Sequence, residues 1–206
     1  MISADIKNLI FDLGGVVIDI NPAASFEAIR AMASDEATLT AVSEQHEVFL
    51  NYEKGLIDDE NFRRGLREIL QQSDVSPASI DEAWCRMLLQ IPVQRLQLLL
   101  ELKAKYRTFV LSNTNRIHVT AFNSMIEAIS GHTTIDHYFE KVYYSHELNM
   151  RKPEAGIFQY VLEDSNLLPH ETLFLDDRAE NLEAAASLGI ATELVTPERG
   201  IIPIFA

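Results

Sequence analysis

The apolar run Leu9-Ile10-Phe11 ends abruptly at Asp12, and Leu13-Gly14-Gly15-Val16 follows. A short, continuous apolar stretch reads as a strand buried on both faces, the kind found in parallel sheets covered by helices. Such a strand delivers its last residue to the carboxyl rim of the sheet, where ligands bind. Glycines there permit a sharp turn and a close approach of ligand to backbone. Asp12 is therefore either a reactive carboxylate or a turn residue, and the rest of the chain must decide between them.

The pattern downstream is a strand–helix alternation. Ile6–Phe11 reads as the first strand, and the next clear one is Thr108-Phe109-Val110-Leu111. The residues between read as helix, with no strand among them. Asn21-Pro22 and Ser76-Pro77 each pair a capping residue with proline at the first helical position. Asp58 or Asp59 starts another helix, with Phe62, Leu66, Ile69 and Leu70 at helical spacing; Ile80, Trp84 and Leu88 form a second stripe. A parallel crossover needs only one helix. Val93, Leu96, Leu99 and Leu100, after Pro92, supply it, so the surplus helices should form a separate bundle. Beyond the second strand, a helix over 115–129 carries Ala121, Phe122, Met125 and Ile129. A strand follows at Lys141–Tyr144, then a helix opened by Pro153, with Ile157, Phe158, Val161 and Leu162. Strand Leu173–Leu175, helix Ala179–Leu188 stopped by Gly189, and strand Ile190–Val195 complete the chain. The reading is an α/β fold: a Rossmann-like doubly wound parallel sheet of residues 1–18 and 92–206, with an inserted α-helical bundle at 19–91.

Composition narrows the partners. The 206 residues are 47% hydrophobic, enough for a substantial core, and carry a formal net charge of −14. That charge argues against a nucleic-acid partner. It does not exclude anionic small molecules, because a bound cation reverses the local field. No apolar run has the length of a membrane span, and Met1-Ile2-Ser3-Ala4-Asp5 lacks the basic and apolar regions of a signal peptide. The expectation is a cytoplasmic protein, monomeric or weakly dimeric, acting on a small molecule, with no nucleic acid and no membrane. The single cysteine, Cys85, excludes an internal disulfide and a cysteine zinc site, and reads as buried packing.

Three more chemistry-bearing features fall at expected strand ends. Ser112-Asn113-Thr114-Asn115 follows the second strand, Lys152-Pro153 opens the helix after the next, and Asp176-Asp177 closes the one after that. Each alone reads equally as a cap, a turn or a solvated residue. Read together, they fit a phosphoryl-transfer site if the fold gathers them. A carboxylate nucleophile attacking phosphorus becomes an acyl phosphate. The repulsion between carboxylate and phosphate calls for a divalent cation, and aspartates are the hard oxygen donors that Mg²⁺ prefers. A lysine offsets the phosphate charge, and a hydroxyl with backbone N–H groups at a helix start binds another phosphate oxygen.

These motifs, in this order, resemble the haloacid dehalogenase-like (HAD) hydrolase superfamily over nearly the whole chain. The insertion resembles that superfamily's helical C1 cap. Val110-Leu111-Ser112-Asn113-Thr114-Asn115-Arg116, Met150-Arg151-Lys152-Pro153-Glu154-Ala155 and Phe174-Leu175-Asp176-Asp177-Arg178-Ala179-Glu180-Asn181 are similar to the bacterial α-D-glucose-1-phosphate phosphatase-like subgroup, as is Tyr52–Phe62. The resemblance implies a Mg²⁺-dependent phosphomonoesterase for small sugar phosphates. It implies Asp12 as nucleophile, Ser112, Asn113 and Lys152 as phosphate contacts, and Asp12, the Gly14 carbonyl, Asp176 and Asp177 as the metal site. The cap would choose the substrate, with Glu53, Lys54, Arg63 and Arg64 as residues that could project toward it.

Gly14 is the departure. Most family phosphatases carry an aspartate there that protonates the leaving group, and general acid–base help is worth about 10²–10⁴-fold. Its absence leaves two other readings open: a metal-independent 2-haloacid dehalogenase, for which the Asp176-Asp177 pair would have no purpose, and a catalytically weak phospho-ligand binding module. A receiver-type phospho-acceptor would place its acidic pair first in the chain, not last.

Overall fold

A computed structural model describes residues 2–33, 42 and 46–206. At its centre is a five-stranded parallel sheet of β1 (Asn8–Phe11), β4 (Arg107–Ser112), β5 (Lys141–Tyr144), β6 (Thr172–Asp176) and β7 (Ala191–Leu194), in the order β5-β4-β1-β6-β7. Strand β1 is central and buried throughout. The chain first adds strands on one side of it and then on the other, so the switch point lies at β1. In sheets of this type the crevice at that point, beyond the carboxyl ends, is where ligands bind.

Alternation along β1 separates two cores. Leu9 and Phe11 pack with Leu96, Leu99 and Leu102 of α5 (Val93–Lys103) and with Phe122 and Ile126 of α6 (Arg116–Ser130). Ile10 faces the other way, toward Ile157, Phe158, Val161 and Leu162 of α8 (Ala155–Asp164) and Leu182 and Ala185 of α9 (Ala179–Ala186). Helices on both faces make Leu9, Ile10 and Phe11 all core side chains, which is why they read as an unbroken apolar run.

Between β1 and α5 lies the helical insertion: α1 (Pro22–Arg30), α2 (Glu47–Glu53), α3 (Asp59–Leu70) and α4 (Pro77–Cys85). It has a third core, built on Phe26, Phe49, Phe62, Leu66, Leu70, Ile80 and Trp84, to which Ile117 of α6 also contributes. Asp58 caps α3 by accepting from the Asn61 N–H at 2.8 Å, and Ser76 caps α4 by accepting from the Ser79 N–H at 3.1 Å. Pro22 occupies the first turn of α1 as expected, but Asn21 makes no side-chain cap bond.

Several expectations need correction. Two short strands, β2 (Asp19–Ile20) and β3 (Leu88–Gln90), form an antiparallel ribbon where the chain leaves and re-enters the sheet domain. Leu88 therefore belongs to β3, and α4 ends at Cys85. A two-residue strand is too short to show any period. In α5, Leu102 is buried while Val93 and Leu100 are among the exposed large apolar residues; in α6, Ile126 is buried and Ile129 exposed. The helix after β5 opens at Ala155, two residues beyond Pro153, because residues 151–154 form a turn closed by the Glu154 N–H donating to the Arg151 carbonyl at 2.9 Å. A short helix α7 (Ser145–Leu148) precedes that turn, and a final one, α10 (Ile202–Phe205), packs Ile204 and Phe205 onto the first core. Cys85 is half-buried, and burial pushes its thiol up to about 11. No helix among the described residues is long and apolar enough to cross a membrane.

Candidate active site

Strand register sets the first distances. Phe11 pairs with Val110 on one side and Leu175 on the other, and the Asp12 N–H donates to the Leu175 carbonyl at 2.9 Å. One step further along, Asp12 stands level with Asp176 on the neighbouring strand, and strands lie about 4.8 Å apart. The chain then turns back on itself. The N–H groups of Val17 and Ile18 both donate to the Leu13 carbonyl at 2.8 Å, and Gly15 donates to Ile18 at 2.8 Å. Gly15 has φ +72, and a Cβ there would stand 2.3 Å from Asp177 Oδ2. Glycine at position 15 thus lets the β1 loop lie directly against the acidic pair. Gly14 lines the cavity without a positive φ.

Lys152 is buried, with 1% of its side chain exposed, and reaches both strands: its Nζ lies 2.9 Å from Asp12 Oδ1 and 2.6 Å from Asp176 Oδ2. Two contacts aim it. Asn113 clamps its backbone, with Nδ2 donating to the Lys152 carbonyl at 2.9 Å and Oδ1 accepting from the Lys152 N–H at 2.8 Å. Asp176 receives it and is itself held by the Arg178 N–H at 2.8 Å and by Asn181 Nδ2 at 2.9 and 3.1 Å. The Lys152–Pro153 peptide is cis.

Ligand atoms of Asp12, Asp176 and Asp177 lie within 4.8 Å of one another. The charges record that crowding. Burial, with reinforcement from Asp176 and Asp177, pushes the Asp12 carboxyl up to about 7, although Lys152 pulls the other way. Burial and then Asp176 raise Asp177 as well. Burial works against the Lys152 ammonium, but Asp12 and Asp176 outweigh it and leave the group above the ordinary lysine value. Three carboxylates share one ammonium here, so the cluster has surplus negative charge suited to a hard cation. Both Asp176 oxygens already accept hydrogen bonds, and of this cluster only Asp12 and Asp177 line the cavity wall.

The cavity, about 340 Å³, is lined by Asp12, Gly14, Ser112, Asn113, Lys152 and Asp177 at the sheet end. All but Asp176 of the catalytic, phosphate-binding and metal residues expected from the sequence therefore open onto one space. The insertion closes it with Phe26, Phe49, Glu53, Trp84 and Met87. Of its four charged candidates, Glu53 alone is on the wall. Lys54 pairs with Glu154, Arg63 forks onto Asp81 at 2.7 and 2.8 Å, and Arg64 is turned to solvent. The sequence reading gave no role to Asn181, Arg151 or His118, which also line the cavity. Asn181 had a signal, standing five residues beyond Asp176, where the first helical turn folds back over the strand end. Arg151 and His118 had none, because their partners, Glu53 and the Trp84 carbonyl, come from the insertion.

The sequence pattern of the haloacid dehalogenase-like hydrolases matches residues 6–189. The chain is 31% identical over 196 residues to the D-ribitol-5-phosphate phosphatase of Bacteroides thetaiotaomicron, covering 95% of this chain and 93% of that one. Among solved structures, it is similar to a HAD family enzyme of the same organism in a magnesium complex, with a TM-score of 0.88, 38% identity and 98% of each chain covered. A HAD-like family hydrolase from Porphyromonas gingivalis gives a TM-score of 0.87 at 30% identity, covering 98% of this chain and 96% of that one. The chain belongs to the haloacid dehalogenase-like hydrolases.

Proposed function

We propose that the protein is a cytoplasmic, Mg²⁺-dependent phosphomonoesterase for small sugar or polyol phosphates. The observation that carries this reading is the convergence of Asp12, Ser112, Lys152 and Asp177 on one cavity at the switch point of the sheet. A relative of almost equal length is named as a phosphatase for a polyol phosphate.

The Asp12 carboxylate attacks phosphorus, the bond to the leaving oxygen breaks, and an aspartyl phosphate forms. Water then cleaves it, releasing phosphate and restoring Asp12. Lys152, fixed by Asn113 and Asp176, keeps a positive charge beside the attacking oxygen and offsets the phosphate charge. The Ser112 hydroxyl and the Asn113 backbone N–H bind a phosphate oxygen; the Asn113 side chain is committed to Lys152. Asp12 and Asp177, with the Gly14 carbonyl and with Asp176 behind them, are the oxygen donors that would hold Mg²⁺. When bound, that ion neutralises the repulsion between phosphate and carboxylate. Residues 19–91 act as the cap that excludes water and selects the leaving group.

With no acid at Gly14, the leaving alkoxide receives its proton from water. That favours acidic leaving groups such as an anomeric hydroxyl, so glucose 1-phosphate should turn over faster than glucose 6-phosphate or ribitol 5-phosphate. Assaying the three with Mg²⁺, with Asp12→Asn as control, tests both levels. Faster hydrolysis of the primary-alcohol phosphates removes the leaving-group argument but leaves the phosphatase. Wild-type turnover no better than that of Asp12→Asn leaves only a phospho-ligand binding module. Activity on 2-haloacids without metal would restore the dehalogenase reading, in which the three clustered carboxylates have no role.

A further inference from the structure

The cavity has two ends of different chemistry, carboxylates and a lysine at the sheet end and an ion pair among aromatic rings at the cap end. We propose that Glu53 and Arg151 form the specificity pair that recognises hydroxyl groups on the leaving group; this rests on the phosphatase reading above. Glu53 comes from the end of α2 in the cap, and Arg151 from the loop that carries Lys152 in the sheet domain. Arg151 Nη2 lies 3.0 Å from Glu53 Oε2, with 21% and 25% of the two side chains exposed. Both line the cavity beside a wall of Phe26, Phe49 and Trp84, whose ring centroids stand 5.2 to 5.9 Å apart.

An ion pair at the wall of a small aromatic cavity constrains what can enter. A purely apolar leaving group would strip water from the pair and return no hydrogen bonds, a desolvation penalty. A hydroxylated chain returns them: Glu53 accepts from hydroxyl hydrogens, Arg151 donates to hydroxyl oxygens, and the C–H faces lie on the aromatic wall. The volume of about 340 Å³ is at the small end for ligand cavities, which suits a short polyol or single sugar. Because the pair spans cap and sheet domain, a hydroxylated substrate is read by both at once, through a residue adjacent in the chain to Lys152.

The test is a ratio. For wild type, Glu53→Ala, Glu53→Gln and Arg151→Met, kcat/KM is measured on a sugar or polyol phosphate (glucose 1-phosphate, ribitol 5-phosphate) and on phenyl phosphate, which has no hydroxyls. A lost hydrogen bond to a charged group is worth about 10- to 100-fold. The polyol-to-phenyl ratio should fall by that factor in Glu53→Ala and Arg151→Met, mostly through KM. Glu53→Gln, which keeps an acceptor oxygen, should recover part of it. A pair that merely tethers the cap would lower both substrates together and leave the ratio unchanged, which overturns the proposal. If wild type hydrolyses neither class above the Asp12→Asn background, the phosphatase reading fails instead. Should Glu53→Ala not fold, Glu53→Gln and Arg151→Met still decide the ratio.

Discussion

Replacing Lys152 with methionine keeps an unbranched apolar side chain and removes one charge from the centre of the acidic cluster. Lys152 is 1% exposed and contacts Asp12 at 2.9 Å and Asp176 at 2.6 Å. Removing one partner of a buried ionic cluster costs about 3–5 kcal/mol, because the remaining charges stay desolvated. Here the cost depends on pH through Asp12. Its carboxyl moves from an ordinary value of 3.8 to about 7 in the fold. The folded state therefore binds that proton more tightly than the unfolded state, and metal-free stability falls as pH rises from 3.8 to about 7, by about 4 kcal/mol in all. Lys152 holds the Asp12 value down, so its removal pushes it higher and extends the loss to higher pH. At pH 5.5 Asp12 is protonated with or without Lys152, and the variant loses the pairing with Asp176 and the attraction to Asp177. At pH 8, one unit above the wild-type Asp12 value, the variant should lose about 1 kcal/mol more. Urea unfolding in chelator at both pH values reads this directly. In an Asp12→Asn background, the loss caused by Lys152→Met should differ much less between pH 8 and pH 5.5. A loss below about 1 kcal/mol at both pH values, or a larger loss at pH 5.5, would refute the reasoning.

Gly55 has φ +66, and a Cβ there would lie 1.9 Å from the His146 carbonyl oxygen. Gly55→Ala should cost about 1–2 kcal/mol in backbone strain and push the 53–55 turn off the sheet domain. That breaks the 2.6 Å bond from the Ser145 hydroxyl to the Glu53 carbonyl. A thermal midpoint and kcat/KM equal to wild type would show that the cap does not dock there. His118 is 6% exposed, its Nε2 lies 2.9 Å from the Trp84 carbonyl, and burial holds its imidazole down to about 4. Its folded value lies below the unfolded 6.5, so its contribution is complete above pH 6.5 and is lost as pH falls toward 4, by about 3 kcal/mol. Unfolding curves for His118→Gln should lack that acid slope, and an unchanged slope would place the titration elsewhere.

The sheet and the chemistry at its rim were legible in the sequence because both depend on local patterns. Leu9-Ile10-Phe11 and Leu173-Phe174-Leu175 are apolar because helices cover both faces, and each ends at the aspartate it presents. The convergence of Asp12, Ser112, Lys152 and Asp177 follows from strand order, since all lie at or beyond carboxyl ends. What the sequence hid depends on contacts between distant segments. The β2–β3 ribbon pairs residues about seventy positions apart and is too short to leave a period. The clamp on the Lys152 backbone commits the Asn113 side chain to positioning, and no spacing rule shows which way an amide points. Glu53 stood among four charged cap candidates, and only the packing of α2 against the loop at Arg151 singles it out.

The central claim is that Asp12 takes the phosphoryl group. A crystal structure with Mg²⁺ and beryllium fluoride, which mimics an acyl phosphate, tests it most directly. Beryllium bonded to an Asp12 carboxylate oxygen, with a fluoride facing Lys152 and the Ser112 hydroxyl, is the result this account predicts. Fluoride density bound elsewhere, with Asp12 unbonded, would contradict it.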